Sequence, residues 1–216
     1  MVVKVNDVII KQVQSVKYLG VWMDQHLSWQ EQIKYTSKKI AARLALLRRV
    51  RKYLTLDSAR LLGNALVLPY FDYCCNAWTN CNQRNRSILI KQHKQMARII
   101  LKANSLTPSS QMFKTLHWIP MEERWRFHRA KLLYDVINGS APSYLIDRFT
   151  LCSSTHRYRT RRADTHGLVL PRVTSESGKR AFSFSGAMLW NALPAIIRSS
   201  PSKATFCCNY LKHFAS

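Results

Sequence analysis

The sequence predicts a mainly α-helical protein with an N-terminal β-hairpin, a helical bundle after it, and a small β-hairpin with short helices near the C-terminus. Apolar residues recur at three- and four-residue spacing over residues 28–53 and 84–102, which is typical of one face of an α-helix. Apolar and polar residues alternate over residues 2–23, as in paired strands. The chain has 216 residues, of which 47% are hydrophobic, so it can bury a substantial core.

The N-terminal hairpin is predicted from two alternating stretches that Asn6-Asp7 separates, followed by KYLGVWM at residues 17–23. Gly20 lies within the last of these stretches. A glycine inside a strand pattern indicates a bulge or a close approach of another backbone, and we expect one of the two here.

A first long helix is predicted to begin at Ser28, because Ser28 and Glu31 have the spacing of a capping box. Its buried stripe is predicted to consist of Ile33, Ser37, Ile40, Leu44 and Leu47. At about 100° per residue, five basic residues fall together on one flank of that stripe: Lys34, Lys38, Arg48, Arg49 and Lys52. A solvated face usually mixes signs, whereas no acidic residue occurs between Glu31 and Asp57. Such a one-sided basic flank suits a helix that faces phosphate.

Two further helices are predicted in the first half of the chain. One begins around Thr55 to Asp57 and is kinked or stopped by Pro69. The other covers residues 84–102 and contains no acidic residue. Its basic residues are Arg84, Arg86, Lys91, Lys94, Arg98 and Lys102. Both long helices are therefore amphipathic and carry cations on their polar side.

The second half begins with a shorter helix over residues 109–116, which Pro108 and Pro120 punctuate. Glu122-Glu123 then suit the first turn of another helix, where the helix dipole favours anions, and Asn138-Gly139 end it.

The C-terminal region changes composition to Ser, Thr, Arg, His and Gly over residues 150–178, which indicates a mobile basic loop. Four arginines lie nearly consecutively within it: Arg157, Arg159, Arg161 and Arg162. Residues 168–170 and 181–184 have the pattern of two short strands, and a last helical region follows them.

Charge and apolar patterning limit the classes of partner. Lys and Arg total 34 against 11 Asp and Glu, a formal net charge of +23, and nucleic acid is the commonest polyanion for such a surface. No apolar run approaches the roughly 20 residues of a membrane span, and the start of the chain lacks the apolar region of a signal peptide. We therefore expect an intracellular protein, in the cytoplasm or nucleus, that does not act at a membrane.

The cysteines have neither the C-x-x-C spacing of a zinc site nor the even distribution of a secreted disulfide framework. Buried, reduced thiols are the favoured interpretation. The one zinc arrangement that can be drawn matches no established ligand pattern, and it consists of Cys74, Cys81, Cys208 and His213.

No catalytic constellation is evident. Two-metal chemistry needs clustered carboxylates, whereas the aspartates here are far apart in the sequence and Glu122-Glu123 diverge by about 100° on a helix. The sequence also lacks a Gly-rich phosphate loop, a G-x-S-x-G elbow and an H-E-x-x-H motif. His93, His117, His128 and His166 have no partner in the sequence and are interpreted as structural or surface histidines. We expect no enzyme activity from this chain by itself and no cofactor.

Five short motifs nevertheless occur in a definite order. They are VKYLGV at residues 16–21 with LSW at 27–29 and Ile33; LPYFDYC at 68–74 with Trp78; QHKQMARII at 92–100; LHWIP at 116–120 with Arg124; and GAMLWNALP at 186–194. In this order they resemble the region that follows the catalytic palm in reverse transcriptases of non-LTR retrotransposons of the jockey and CR1 type. The resemblance covers almost the whole chain. It implies an RNA-directed DNA polymerase family, of which this chain is the C-terminal part.

In that family the K-Y-L-G segment corresponds to the primer grip, and the helices after it to the thumb that clamps template and primer. The Y-A-D-D turn and the upstream endonuclease are both missing from this sequence. The resemblance therefore implies 1–27 as a primer-grip-like hairpin region, 28–149 as a thumb-like helical domain, and 150–216 as a basic loop and tail. Trp22 and Tyr18 are expected either to stack on a primer nucleotide or to anchor the hairpin as core aromatics.

The expected function is non-specific binding of template and primer by a non-catalytic fragment. Expected partners are RNA, DNA or an RNA/DNA hybrid, and the missing palm domain of a longer polyprotein. The predicted nucleic-acid-binding residues are Lys17, Tyr18, Gly20, Trp22, Lys34, Lys38, Arg48, Arg49, Lys52, Arg84, Lys91, Lys94, Arg98, Arg157, Arg159, Arg161 and Arg162. The alternatives are a host-recruited module for nucleic-acid or protein interaction, and a non-functional retroelement remnant.

Overall fold

The structure is a computed structural model that describes residues 3–6, 8–10, 12–155 and 166–215. Its elements are predominantly helical, which confirms the predicted fold class. Within the chain, contacts group into two compact units, Met1–Ser109 and Ser110–Ser216. The division into three regions with boundaries at residues 27 and 149 follows from the family resemblance, and it remains a prediction.

The first unit begins with two antiparallel hairpins and continues with helices. Its strands are β1 (Val3–Val5), β2 (Val8–Ile10), β3 (Ser15–Tyr18) and β4 (Val21–Asp24). Its α-helices are α1 (Gln30–Val50), α2 (Leu56–Leu66), α3 (Leu68–Asp72), α4 (Cys75–Trp78) and α5 (Gln83–Leu101), with a 3₁₀ turn at Arg51–Tyr53 between α1 and α2. The predicted hairpin system is confirmed, as are the second and third helices.

Gly20 lies in the two-residue turn of the second hairpin. Strands β3 and β4 pair from Ser15↔Asp24 to Tyr18↔Val21, so Leu19 and Gly20 form the turn, with φ of 45° and 83°. Positive φ at both central residues gives the twist that a tight hairpin needs. Neither predicted cause for this glycine, a bulge or a close approach of another backbone, is correct. Gly20 lies in the turn itself, and the atoms nearest to a Cβ built there belong to the Tyr73 side chain, at 3.4 Å.

The start of α1 differs from the predicted capping box. The helix begins at Gln30 after a left-handed Trp29, with φ of 63°. The carboxylate of Asp24 accepts hydrogen bonds from the backbone N–H groups of His26, Ser28 and Trp29 at 2.8–3.1 Å, and from the Ser28 hydroxyl at 3.1 Å. Asp24 therefore organises this helix start, because its four acceptor bonds hold the segment in a turn that precedes the helix.

The core of the first unit lies where α1, α2 and α5 meet. Four of the five residues of the predicted α1 stripe are buried there, namely Ile33, Ile40, Leu44 and Leu47. They pack with Leu89, Met96 and Ile100 of α5, Phe71 of α3 and Trp78 of α4, which are fully buried. Gly63 allows α2 to lie close to α5, because a Cβ there would be 2.8 Å from Met96 Cε and 2.9 Å from Ile100 Cδ1.

The second unit is helical over its described residues. Its longer helices are α6 (Ser109–Leu116), α7 (Met121–Ile137), α11 (Phe182–Ala192) and α13 (Lys203–Ala215). Four short helices complete it: α8 (Ser143–Ile146), α9 (Cys152–Thr155), α10 (Glu176–Arg180) and α12 (Ala195–Arg198). The bounds predicted from Pro108, Pro120 and Asn138-Gly139 are confirmed.

The predicted C-terminal β-hairpin is wrong. Residues 182–184 belong to α11, and Leu168 forms only an isolated bridge, to Leu151. The side-chain amide of Asn191 takes the place of a partner strand: it accepts from the Leu168 N–H at 2.9 Å and donates to the Leu168 carbonyl at 2.8 Å. The indole N–H of Trp190 donates to the carbonyl of His166 at 2.7 Å. Helix α11 thus satisfies the polar groups that a second strand would have satisfied.

Aromatic rings dominate the core of the second unit. Trp190 stacks on Phe206 with ring centroids 5.9 Å apart and an interplanar angle of 18°, and Tyr134 packs against Phe206 at 4.8 Å. Tyr210 continues the cluster to Phe214 at 4.6 Å. Rings in such contacts stabilise a core by more than their buried area alone. The packing joins α7, α11 and α13 around one hydrophobic centre.

Candidate nucleic-acid interface

Helices α1 and α5 lie side by side and run parallel. Three hydrogen bonds cross between the segments that carry them. Asn85 Nδ2 donates to Ser28 O at 3.4 Å near both N-termini, Gln92 Nε2 donates to Ser37 O at 2.9 Å further along, and Arg51 Nε donates to Ile100 O at 2.7 Å near both C-termini. A parallel arrangement requires the chain to return to the starting end, and the segment that contains α2, α3 and α4 makes this return.

Two recesses lie along the junction of these two helices, one toward each end. The recess at the N-terminal end has a volume of about 540 Å³, and its basic residues are Lys34, Lys38 and Arg84. The recess at the C-terminal end has a volume of about 570 Å³, and its basic residues are Arg48, Arg51, Lys52, Arg98 and Lys102. We call these eight side chains together the basic groove. Among the residues that the structure describes, no acidic side chain lines either recess.

No described carboxylate forms an ion pair with the cations of the basic groove. Among the described residues, the Lys and Arg side chains of α1 and α5 form no ion pair with a carboxylate, whereas Arg60 on α2 pairs with Asp57 at 3.1 Å. Like charges held this close repel one another and favour binding of a polyanion. The groove therefore has a positive potential along its length.

Arg51 is held in place by backbone carbonyl groups. Its side chain is 9% exposed, Nε donates to Ile100 O at 2.7 Å, and Nη1 donates to Leu54 O at 2.8 Å. These bonds fix the guanidinium at the C-terminal end of the groove, where the last carbonyls of α5 favour a cation. Arg51 is also among the residues that line the C-terminal recess.

The length of the groove suits a nucleic-acid backbone. At about 100° per residue, Lys38, Arg48 and Lys52 lie within about 40° of Lys34 around the axis of α1. At about 1.5 Å per residue, the stripe from Lys34 to Lys52 is about 27 Å long, which matches the axial rise of about eight nucleotides of one duplex strand at about 3.4 Å each. A single small anion would need only one end of the groove.

The structure brings six of the predicted residues together in this groove and leaves others apart. The six are Lys34, Lys38, Arg48, Lys52, Arg84 and Arg98. Arg49, Lys91 and Lys94, also on α1 and α5, line neither recess. Arg157, Arg159, Arg161 and Arg162 lie outside the described residues.

Two groove residues were missing from the predicted set, Arg51 and Lys102. Arg51 follows the end of α1, and its role depends on the parallel packing of α5, which no local pattern reveals. Lys102 is the left-handed C-cap of α5, with φ of 51°. The sequence does contain a signal for Lys102. Arg98 and Lys102 follow Arg84 by 14 and 18 residues, and residues with these separations lie on nearly the same side of a helix.

The predicted hairpin residues lie on another flank of α1. The backbone N–H of Trp22 donates to Gln32 Oε1 at 2.9 Å, and the Lys17 ammonium lies 4.9 Å from the centroid of the Tyr35 ring. Tyr35 is about 100° around the helix from Lys34, and Gln32 about 160°. Tyr18 is 65% exposed on β3, while Trp22 is half-buried, so the hairpin residues do not extend the basic groove.

The described residues contain no group of three or more His, Cys, Asp or Glu side chains that could hold a metal ion. All six cysteines are free thiols, and His93 is buried with its ring edge against Phe71. Among the helices of the described part, none is both long and apolar enough to cross a bilayer. Comparison of the chain with protein-family models, with curated proteins and with solved structures found no match.

Proposed function

We propose that this chain binds nucleic acid without sequence preference through the basic groove, as the non-catalytic C-terminal part of an RNA-directed DNA polymerase. The observation that carries the proposal is the alignment of eight cations, on two parallel helices or directly after their last residues, along two recesses whose described lining contains no acidic residue. The order of the five sequence motifs supports the choice of polymerase family.

Phosphate contacts account for binding of this kind. Lys and Arg that neutralise backbone phosphates release condensed counterions, which gives affinity that depends on salt but not on base sequence. Eight of the eighteen lining residues are such cations, and Gln, Asn, Ser, Ile and Ala lie between them. RNA, DNA and an RNA/DNA hybrid all have the required backbone and are the proposed partners.

The chain is proposed to hold template and primer while another segment carries out the chemistry. Its sequence lacks the Y-A-D-D turn of the polymerase family that it resembles. The palm of a longer polyprotein is the proposed supplier of those carboxylates, in the cytoplasm or nucleus. The alternatives remain a module recruited by a host and a remnant without function.

The test is a binding titration of the full chain against a labelled RNA–DNA hybrid over a series of salt concentrations. The groove variant is Lys34→Ala, Lys38→Ala, Arg48→Ala, Lys52→Ala. Its matched control removes the same charge from exposed residues of the second unit: Lys114→Ala, Arg148→Ala, Arg172→Ala, Lys179→Ala. Far-UV circular dichroism establishes that all three proteins are folded.

The magnitude of the slope of log affinity against log salt should fall by about 0.9 for each duplex phosphate that the protein no longer neutralises, so the groove variant should have a much flatter slope than the wild type. The control should retain most of the wild-type slope. If both variants reduce the slope equally, binding reflects total charge and the groove is not the interface. If the folded wild-type chain binds no hybrid at physiological salt, the protein-interaction or remnant alternative replaces the proposal.

A further inference from the structure

A cavity distinct from the two recesses of the basic groove lies on the opposite flank of α1. Its volume is about 330 Å³, within the size range of sites for small organic ligands. Strand β3, the turn at Gly20, α1 and the segment around α3 enclose it. Its lining includes Tyr35, Tyr70 and Tyr73 together with Lys17, Gln32 and Thr36, and we call it the tyrosine pocket.

Two of the three tyrosine rings are anchored by their hydroxyl groups. The Tyr73 hydroxyl donates to the carbonyl of Leu19 at 2.6 Å, which ties the end of α3 to the hairpin turn. The Tyr70 hydroxyl accepts from Arg43 Nη2 at 3.3 Å, and the guanidinium lies 5.8 Å from the Tyr70 ring centroid. A ligand that stacks on these rings would therefore find them already in position.

Three cations surround these rings. The ammonium groups of Lys17 and Lys39 lie 4.9 Å and 5.6 Å from the centroid of the Tyr35 ring, and Arg43 lies over Tyr70. Within the described part of the chain, none of the three forms an ion pair with a carboxylate. Lys17 lines the cavity itself, whereas Lys39 and Arg43 lie against its rings without being part of the lining. The site thus combines π-faces with nearby positive charge, which neither a purely apolar ligand nor a simple anion would fully use.

A polar pair lies at the base of the cavity. Gln32 and Thr36 are each 3% exposed, and Gln32 Nε2 donates to Thr36 Oγ1 at 3.1 Å. The same amide accepts the Trp22 N–H through Oε1. A glutamine amide has two N–H donors, so one remains for an acceptor on a ligand. A nucleobase edge has such acceptors, whereas a hydrocarbon does not.

We propose that the tyrosine pocket binds a single unpaired nucleotide. The base packs against the tyrosine rings with its edge toward Gln32, and the phosphate lies among Lys17, Lys39 and Arg43. Base stacking on aromatic side chains tolerates any base and needs no duplex. This site is separate from the basic groove, because the two lie on opposite flanks of α1. The pocket is proposed to recognise a base, whereas the groove is proposed to contact backbone phosphate alone.

The experiment uses adenosine 5′-monophosphate as the probe and ribose 5-phosphate as its matched control without a base. Saturation-transfer NMR on the full chain reports contact of the adenine protons, and a titration reports affinity. The variants are Tyr35→Leu, which removes a ring but keeps apolar bulk, and Tyr70→Phe, which keeps the ring and removes one hydroxyl. Thermal unfolding followed by circular dichroism shows whether each variant is folded.

The proposal expects saturable binding of adenosine monophosphate, with affinity at least tenfold higher than that for ribose 5-phosphate. Tyr35→Leu should weaken binding by about tenfold, and Tyr70→Phe by less than threefold. The groove variant Lys34→Ala, Lys38→Ala, Arg48→Ala, Lys52→Ala should bind the nucleotide like the wild type, and Tyr35→Leu should still bind the hybrid. Equal affinity for both probes, or an unchanged affinity in folded Tyr35→Leu, would overturn the proposal, and neither result bears on the basic groove.

Discussion

The two units of this protein have nearly the same charge balance but use their charges differently. Residues 1–109 contain eighteen Lys and Arg against five Asp and Glu, and residues 110–216 contain sixteen against six. In the first unit, the cations of α1 and α5 line a groove without acidic residues. In the second unit, Glu123 pairs with Arg126 at 2.6 Å, Glu176 with Lys179 at 2.7 Å and Asp135 with Lys203 at 2.6 Å.

Net charge alone would therefore assign the same role to both halves, and only the arrangement distinguishes them. In the first unit, Asp24 accepts backbone N–H groups and Asp57 pairs with Arg60, so these two carboxylates do not pair with the groove cations. The cores differ as well, since the first is mainly aliphatic and the second is richer in aromatic residues, which are four of the ten in its buried cluster. Mutations can test each of these differences separately.

The largest expected effect is on the aromatic core. Trp190→Ala should lower the free energy of unfolding by about 3–5 kcal/mol, because Trp190 is fully buried, stacks on Phe206 and donates to the His166 carbonyl. Urea unfolding followed by circular dichroism measures the change. Met188→Ala on the same helix is the control, since Met188 is 52% exposed and its truncation should cost less than about 0.5 kcal/mol. A cost below about 1 kcal/mol for Trp190→Ala would contradict the central position of this ring.

Helices α5 and α11 illustrate where sequence patterns are sufficient and where they fail. The predicted helix over residues 84–102 was confirmed as Gln83–Leu101, because Asn82 caps it by accepting from the Asn85 N–H at 2.8 Å, and the amphipathic pattern continues to its end. Such signals act within a few residues. The predicted strand at 181–184 was wrong, because the alternation of Phe182 and Phe184 fits a short strand as well as a helix, and packing decided between them.

The candidate site shows the same limit. The basic flank of α1 was visible from the sequence because it depends only on helical periodicity. Helix α5 adds a second row of cations beside this flank. Its position depends on the parallel packing of the two helices, in which Gln92 donates a hydrogen bond to the carbonyl of Ser37, 55 residues away in the sequence. The tyrosine pocket was missed for the same reason, since Tyr35 and Tyr70 come together only in the folded chain.

Asn191 provides the next test, because it connects α11 to the segment at Leu168. Asn191→Ala should cost about 1–3 kcal/mol of stability, since it leaves the N–H and carbonyl of Leu168, which is 1% exposed, without their partners. Asn191→Asp is the matched control: it keeps the acceptor for the N–H but removes the donor, so its cost should be intermediate. Hydrogen exchange of the Leu168 amide measures the local effect. Unchanged protection in Asn191→Ala would show that this amide is not what holds the segment.

Asp24 allows a test of the first unit through pH. Partial burial acts to raise the pKa of Asp24, but the hydrogen bonds from Ser28, Trp29 and His26 outweigh it and hold the pKa below its ordinary value. Because the folded-state pKa is depressed, the carboxylate stabilises the fold above the unfolded-state pKa, and this contribution is lost as pH falls through the folded-state value. Asp24→Ala should cost about 1 kcal/mol at neutral pH, as for removal of a helix cap.

The difference in melting temperature between wild type and Asp24→Ala should therefore narrow as pH falls from about 5 toward 2. Circular dichroism melts across that range measure it. Asp24→Asn isolates the charge from the acceptor, because it keeps one oxygen for the backbone N–H groups and does not titrate. A gap that stays constant down to pH 2 would mean that the carboxylate charge does not contribute.

The smallest expected effects test the comparison of the two units directly. Lys203→Ala removes the partner of Asp135, a partly exposed pair, and should lower the free energy of unfolding by about 0.2–1 kcal/mol. Lys38→Ala removes an exposed cation that has no carboxylate partner within the described residues, so it should leave stability unchanged or raise it slightly by relieving repulsion.

For binding of an RNA–DNA hybrid the order should reverse: Lys38→Ala should reduce the magnitude of the salt slope by about 0.9, and Lys203→Ala should leave it unchanged. Chemical denaturation and a salt titration of the same two proteins provide both measurements. If Lys203→Ala reduces the slope as much as Lys38→Ala does, the pairing of charges does not separate the roles of the two units, and binding follows total charge.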